Sequence, residues 1–146
     1  MSRWAYFDTS AVVKLYVEEQ GSAHVQSLAR KNRPLSSVIL SLELVSALAR
    51  RKRSGDLSSE AQETALGNFR KDLPRFDLVE LTSDIRRRAE AMLLMYPLRT
   101  LDAIHIASAL FTREALSLPR LPFITSDRRQ HEGALLAGLD VVLVPS

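Results

Sequence analysis

Apolar positions along the chain fall into two alternating kinds of run. Short, nearly continuous ones at Trp4–Phe7, Leu35–Val38, Leu78–Leu81, Pro122–Thr125 and Val141–Val144 have strand length. Between them, apolar residues recur at helical spacing near Ser10–Val17, Ser22–Lys31, Leu40–Arg53, Ser58–Leu73, Ser83–Tyr96, Leu101–Leu116 and Arg128–Ala137. Strands that alternate with helices of this length predict crossover connections. The expected fold is therefore α/β, with a mostly parallel central sheet and helices on both faces. One pair of helices breaks the alternation, around RKRSGDLSSEAQ. There Gly55 marks a C-terminus and Ser58 or Ser59 the next N-terminus. At 146 residues, with no repeat or linker, the chain reads as one domain, residues 1–146.

In open parallel sheets, ligands bind beyond the carboxyl ends of the strands. Asp8 ends the aromatic run WAYF and precedes two hydroxyls, Thr9 and Ser10. Asp127, in FITSDRR, lies two residues beyond Thr125. Either acid can simply cap the helix that follows. Two more acids sit within helices. In LSLELVSALARR, Leu40, Leu44, Ala47 and Leu48 form one stripe, and Glu43 lies on its border; a solvated surface glutamate is the plain alternative. RTLDAIHIASALF is apolar nearly all round and reads as a buried helix interrupted by Asp102. An acid in a first turn favours the helix dipole, yet burying one is costly unless something positive meets it. His105, one turn on, reads better as a satisfied core histidine than as that partner.

Asp8, Glu43, Asp102 and Asp127 are thus all deliverable to one place. Crowded carboxylates repel, and some stay protonated unless a cation neutralises them. Oxygen-only donors suit hard cations, Mg²⁺ or Mn²⁺, which keep waters and pair with phosphate groups. That is the chemistry of phosphodiester hydrolysis.

Composition narrows the picture a little. The absence of cysteine excludes disulfides and thiolate zinc sites and fits a reducing cytoplasm. Asp8 interrupts the opening apolar run too soon for a signal peptide, and no run approaches the roughly 18 apolar residues of a membrane span. A cytoplasmic protein with no membrane association is expected. A pI near 9.6 is compatible with a polyanionic partner. The basic clusters Arg50–Arg53 and Arg86–Arg88 read first as solvated faces or helix C-terminal charges. Arg128 and Arg129, beside Asp127, and Arg99, near Asp102, are better placed to hold a substrate phosphate. Aromatic residues are few and form no pattern for stacking on RNA bases.

The four acidic segments, in order, resemble the PIN domain, and specifically the VapC-type toxins of VapBC toxin–antitoxin modules. FDTSAVVKLYVEE resembles the opening motif, SSVILSLELVSALARR the segment of the second acid and LRTLDAIHIASAL the third. FITSDRRQHEGALLAGLDVV resembles the last, with its Thr-x-Asp after a strand. The resemblance implies a three-layer α/β/α sandwich and Mg²⁺-dependent endoribonuclease activity on RNA, with Mn²⁺ able to substitute. It also implies a cognate antitoxin whose C-terminal segment blocks the acidic groove, and a homodimer. Carried over, Asp8 and Asp102 become the main metal ligands. Glu43 and Asp127 complete the catalytic pocket, directly or through water, and Ser10 and Thr125 support it. Arg129 departs from the apolar residue often found there, and ALSLPRLPF lengthens the loop before the last motif.

Two rivals fit less well. A phosphatase of the phosphotransfer kind wants a second Asp where Ser10 stands, and a receiver wants a late-strand Lys that DVVLVPS lacks. A non-catalytic interaction module would be missing one of the four acids.

Overall fold

The structure, a computed structural model, describes residues 3–146. Five strands, β1 (Trp4–Phe7), β2 (Arg33–Ser37), β3 (Asp77–Val79), β4 (Pro122–Thr125) and β5 (Asp140–Leu143), form one parallel sheet in the order β3-β2-β1-β4-β5. The helices are α1 (Thr9–Val13), α2 (Ser22–Lys31), α3 (Leu40–Arg53), α4 (Ser59–Asp72), α5 (Ser83–Met95), α6 (Thr100–Ala115) and α7 (Arg128–Leu136). A 3₁₀ turn, Leu73–Arg75, follows α4.

The strand order explains the layers. From β1 the chain steps outward to β2 and β3, then returns to the other side of β1 for β4 and β5. Right-handed crossovers that travel in opposite directions place their helices on opposite faces. Two cores result, one on each side of the sheet. Tyr6 and Phe123 point into one with residues of α5, α6 and α7, while Ala5, Phe7 and Ile124 point into the other with residues of α1–α4. This is the alternation that a strand buried on both faces requires. The expected α/β/α sandwich is what forms, with every strand pair parallel.

Boundaries differ locally for visible reasons. The first helix was expected to run to Val17 but ends at Val13. Lys14, Leu15 and Tyr16 then donate three residues back, to Ala11, Val12 and Val13, at 3.1, 2.9 and 3.0 Å. The buried Lys14 ammonium holds that turn, donating to the Gln20 carbonyl at 2.6 Å and to Glu19 at 3.2 Å. β2 begins two residues earlier than expected and contains Pro34. Pairing with β3 starts only at Leu35, so the missing N–H of Pro34 interrupts no rung on that side.

The turn into α2 depends on Gly21, whose φ is +90°. A Cβ there would lie 2.4 Å from the Pro145 carbonyl oxygen and 2.7 Å from a Val144 methyl. Gly138 has a similar φ, +87°, but open space around it. Gly138→Ala should therefore cost only the backbone strain, at the low end of about 1–3 kcal/mol, and Gly21→Ala clearly more. Urea unfolding with unchanged m-values checks the order; equal losses would refute the close packing at Gly21.

Candidate active site

All four acids line one cleft of about 1090 Å³ beyond the carboxyl ends of the strands. β1 and β4 are neighbours whose onward connections run in opposite directions, so the space beyond their ends is the topological switch point of the sheet. Asp8 follows β1, and Asp127 lies two residues after β4. Glu43 reaches the cleft from the first turn of α3, and Asp102 from the first turn of α6.

Asp8 is almost fully buried and held by three donors. Its Oδ1 accepts from the Ser10 hydroxyl at 2.7 Å and from the Ala11 amide at 3.0 Å, and its Oδ2 accepts from the Thr125 hydroxyl at 2.5 Å. Both hydroxyls are themselves oriented by the turn after β4. The Ser126 N–H donates to Ser10 Oγ at 2.8 Å, and the Asp127 N–H donates to Thr125 Oγ1 at 3.1 Å. With an amide filling one acceptor site on each oxygen, their protons turn toward Asp8. Burial nonetheless wins. It raises the Asp8 carboxyl above its ordinary range, against the opposing charge of His105 and these hydrogen bonds.

Asp8 and Asp127 are helix caps as well as cleft residues. Asp8 caps α1 through Ala11, and Asp127 caps α7 by accepting from the Arg129 amide at 2.9 Å. Asp102 likewise accepts from the Arg99 amide at 3.1 Å. The capping reading holds for these residues and does not exclude a role in the cleft, because a cap at the start of such a helix also faces the crevice. The Asp102 carboxyl is raised by burial, opposed by the Arg99 amide, and raised further by the charge of Asp127.

Glu43 is half-buried and bonded rather than a freely solvated surface glutamate. Its Oε1 accepts from the Thr9 hydroxyl at 2.6 Å and lies 2.6 Å from His105 Nε2. Burial pushes its carboxyl up, but the His105 hydrogen bond and charge and the Thr9 bond bring the net value below the ordinary range. His105 is a buried, satisfied histidine as expected, but its hydrogen-bonded acid is Glu43 rather than Asp102. Sequence reasoning missed the part of Thr9 and Tyr6 here. The signal for Tyr6 was the two-residue alternation of β1, which turns it toward the helix that carries His105.

The basic residues divide: Arg99 stands where it was expected, and Arg128, Arg50 and Arg51 do not. Arg99 lines the cleft, whereas Arg128 is exposed and outside its wall. Arg50 and Arg51, read above as a helix-terminal cluster, do line it, since Arg50 lies seven residues from Glu43 on nearly the same face of α3. Arg51 is engaged by Glu19, at 2.8 and 3.4 Å.

Oxygen donors of this kind fit a hard divalent cation. Among the described residues no three His, Asp or Glu side chains already converge in ligand geometry, but the cleft is lined by the four predicted acids together with Glu19 and Asp56, and Asp8 and Asp102 among them have raised pKa. Gln130, also in the wall, has a buried amide oxygen with no hydrogen-bond partner among the described residues. A cation with its waters would answer the crowding of the carboxylates.

Fold and site together define a class of protein: a parallel α/β/α sandwich with an acidic cleft at its switch point. The PIN domain family matches residues 5–135, and the chain belongs to that family. It is 37% identical over 141 residues to Ribonuclease VapC49 of Mycobacterium tuberculosis, covering 93% of this chain and 92% of the relative. Ribonuclease VapC46 of the same organism is 33% identical over 138 residues, with 94% and 95% covered. In fold the chain is similar to a solved toxin–antitoxin complex from Klebsiella pneumoniae, with TM-score 0.63, 24% identity, and 94% and 95% covered.

The raised Asp102 carboxyl has a consequence for stability. A folded-state pKa above the unfolded value favours folding fully at low pH, and that contribution is lost as pH rises through the folded value. Asparagine keeps the acceptor for the Arg99 amide and has no charge to bury. In EDTA at pH 7, Asp102→Asn should therefore melt at or above the wild-type temperature, and the difference should close below about pH 4. Melting curves at the two pH values decide it. A variant that melts far lower at both would make Asp102 a structural cap only.

Proposed function

We propose that this chain is a divalent-metal-dependent endoribonuclease and the toxin of a cytoplasmic toxin–antitoxin pair. The observation that carries the reading is the delivery of Asp8, Glu43, Asp102 and Asp127 to one cleft at the switch point of the sheet. The relatives named ribonuclease VapC, similar over nearly their whole length, support RNA as the substrate.

In this reading Asp8, Asp102 and Asp127 hold Mg²⁺ or Mn²⁺. When bound, the ion supplies charge neutralisation beside the scissile phosphate and lowers the pKa of water. Ser10 and Thr125 keep Asp8 oriented, through the donor pairs from the Ser126 and Asp127 amides. Glu43, with Oε1 occupied by Thr9 and His105, keeps Oε2 to accept a hydrogen bond from the attacking water. Arg99 and Arg50, exposed on the cleft wall, offer cations to the phosphates on either side of the cleavage point.

RNA cleavage by the purified chain should require Mg²⁺ or Mn²⁺, stop in EDTA and fall to background in Asp8→Asn. Calorimetry should find a cation site in the wild type that Asp8→Asn lacks. At a hundred times its Kd the ion should stabilise the wild type by about 2.7 kcal/mol. Cleavage that persists in EDTA, or equal cation binding by the two proteins, would remove the metal from the reading.

The partner follows from the same electrostatics. An acidic cleft invites an arginine or lysine from an inhibitor, which neutralises the carboxylates and keeps the substrate phosphate out. The solved toxin–antitoxin complex with the same fold supports such a partner. Expressed alone, the chain should arrest growth, and co-expression with its neighbouring gene product should relieve the arrest and yield a co-purifying complex. A chain that is harmless alone and binds no neighbour would count against the toxin role.

A further inference from the structure

Tyr6, His105, Glu43 and Thr9 form a line of hydrogen bonds running from the interior to the cleft. The Tyr6 hydroxyl is 2.7 Å from His105 Nδ1, His105 Nε2 is 2.6 Å from Glu43 Oε1, and the Thr9 hydroxyl donates to that same oxygen at 2.6 Å. Tyr6, Thr9 and His105 are buried, and only the Glu43 side chain, 20% exposed, opens onto solvent. The Tyr6 ring also meets the imidazole edge-on, at 76° and 5.8 Å between centroids. The imidazole is thus held on two sides.

Proton placement follows from the partners. Glu43 is ionised, so Oε1 must face donors. A bare Nε2 lone pair 2.6 Å away would set two acceptors against each other, so Nε2 carries a proton whether the ring is neutral or charged. On the far side the buried Tyr6 hydroxyl, 2.7 Å from Nδ1, can donate to a bare Nδ1 or accept from a protonated one, so it holds the ring in either case. Oε1 then receives two donors, and Oε2 is left for the cleft.

We propose that His105, backed by Tyr6, is a positioning residue for the reaction: it fixes the orientation of the Glu43 carboxylate, holding one oxygen in the wall so that the other meets the substrate water. This rests on the ribonuclease reading of the cleft. Partners that orient an active-site group from behind are worth 10- to 100-fold in comparable metal sites. A histidine that merely filled the core would instead act through stability alone.

Two substitutions separate these roles. The amide nitrogen of His105→Gln reaches where Nε2 lies and can still donate to Glu43, whereas His105→Leu fills similar space and donates nothing. With RNA and Mn²⁺, kcat should fall about 10- to 100-fold in His105→Leu with KM little changed, and His105→Gln should recover most of the loss. Tyr6→Phe, which removes only the hydroxyl behind the ring, should lower kcat less and should shift the His105 ring signals. A second readout needs no activity. The ¹⁵N imidazole spectrum of the metal-free protein, assigned by the signal that vanishes in His105→Leu, should show Nε2 protonated and should change in Glu43→Gln. Equal kcat for wild type and both His105 variants, losses that track melting temperature alike in Gln and Leu, or an unprotonated Nε2 would each overturn the proposal. An inactive wild type would sink the ribonuclease reading, and the ring spectrum would still decide whether His105 holds Glu43.

Discussion

The hydrogen bond from the Asp8 amide to the Ile124 carbonyl, 3.0 Å long, is the last rung between β1 and β4. The site depends on it. β1 is the central strand and must satisfy its backbone on both sides, with β2 on one and β4 on the other. Because the chain leaves β1 toward β2 and leaves β4 toward β5, no crossover helix covers the gap between the ends of β1 and β4. The rung brings the residues after the two strands into register at that gap. Asp8 thereby lands against Thr125, and the Ser126 and Asp127 amides can orient the hydroxyls that hold its carboxylate.

That arrangement holds a charge where the fold alone would not choose one. Three donors surround Asp8, yet burial still raises its pKa, so hydrogen bonding has not fully replaced water. Asp102 is in the same position less severely, with Asp127 adding repulsion. Glu43 is the opposite case: its partners outweigh burial. Three of the four acids therefore divide. Glu43 is internally satisfied, while Asp8 and Asp102 carry a burial cost that protonation relieves, as would a cation of the kind proposed above.

Much of this was legible in the sequence because two independent periodicities agreed. Apolar runs of strand length alternating with 3.6-residue patterns gave the parallel sheet and its layers, with errors of only a few residues at element ends. The acids were legible because each contradicted its surroundings: a carboxylate at the end of an aromatic strand, another on a helix apolar nearly all round. Arg50 and Arg51 were not, since a basic helix terminus looks the same in sequence whether it faces solvent or a cleft. Nor was the bond between Glu43 and His105, which are 62 residues apart. Their meeting depends on how α3 and α6 cross the end of the sheet, which local pattern does not encode. His105 stood one turn from Asp102 along its own helix and read better as a core histidine than as that acid's partner, and nothing local pointed to Glu43.

The Glu43–His105 bond also closes the sandwich. α3 packs its apolar stripe, Leu40, Leu44 and Leu48, into the core on one side of the sheet, and α6 packs into the core on the other. Along most of its length the sheet keeps the two cores apart. At the carboxyl end the strands stop, and the layers would face each other across open space. Glu43 and His105 span it: losing Glu43 would take the short acceptor from the buried Nε2 of His105, whereas Glu43 without His105 would keep the Thr9 hydroxyl. An apolar contact could join the layers as firmly, but it would fill the crevice. A short polar bridge, anchored by Tyr6 from the central strand itself, joins them at one edge and leaves the cleft beside it open. The same side chains that shut the fold at this end therefore form the wall of its site.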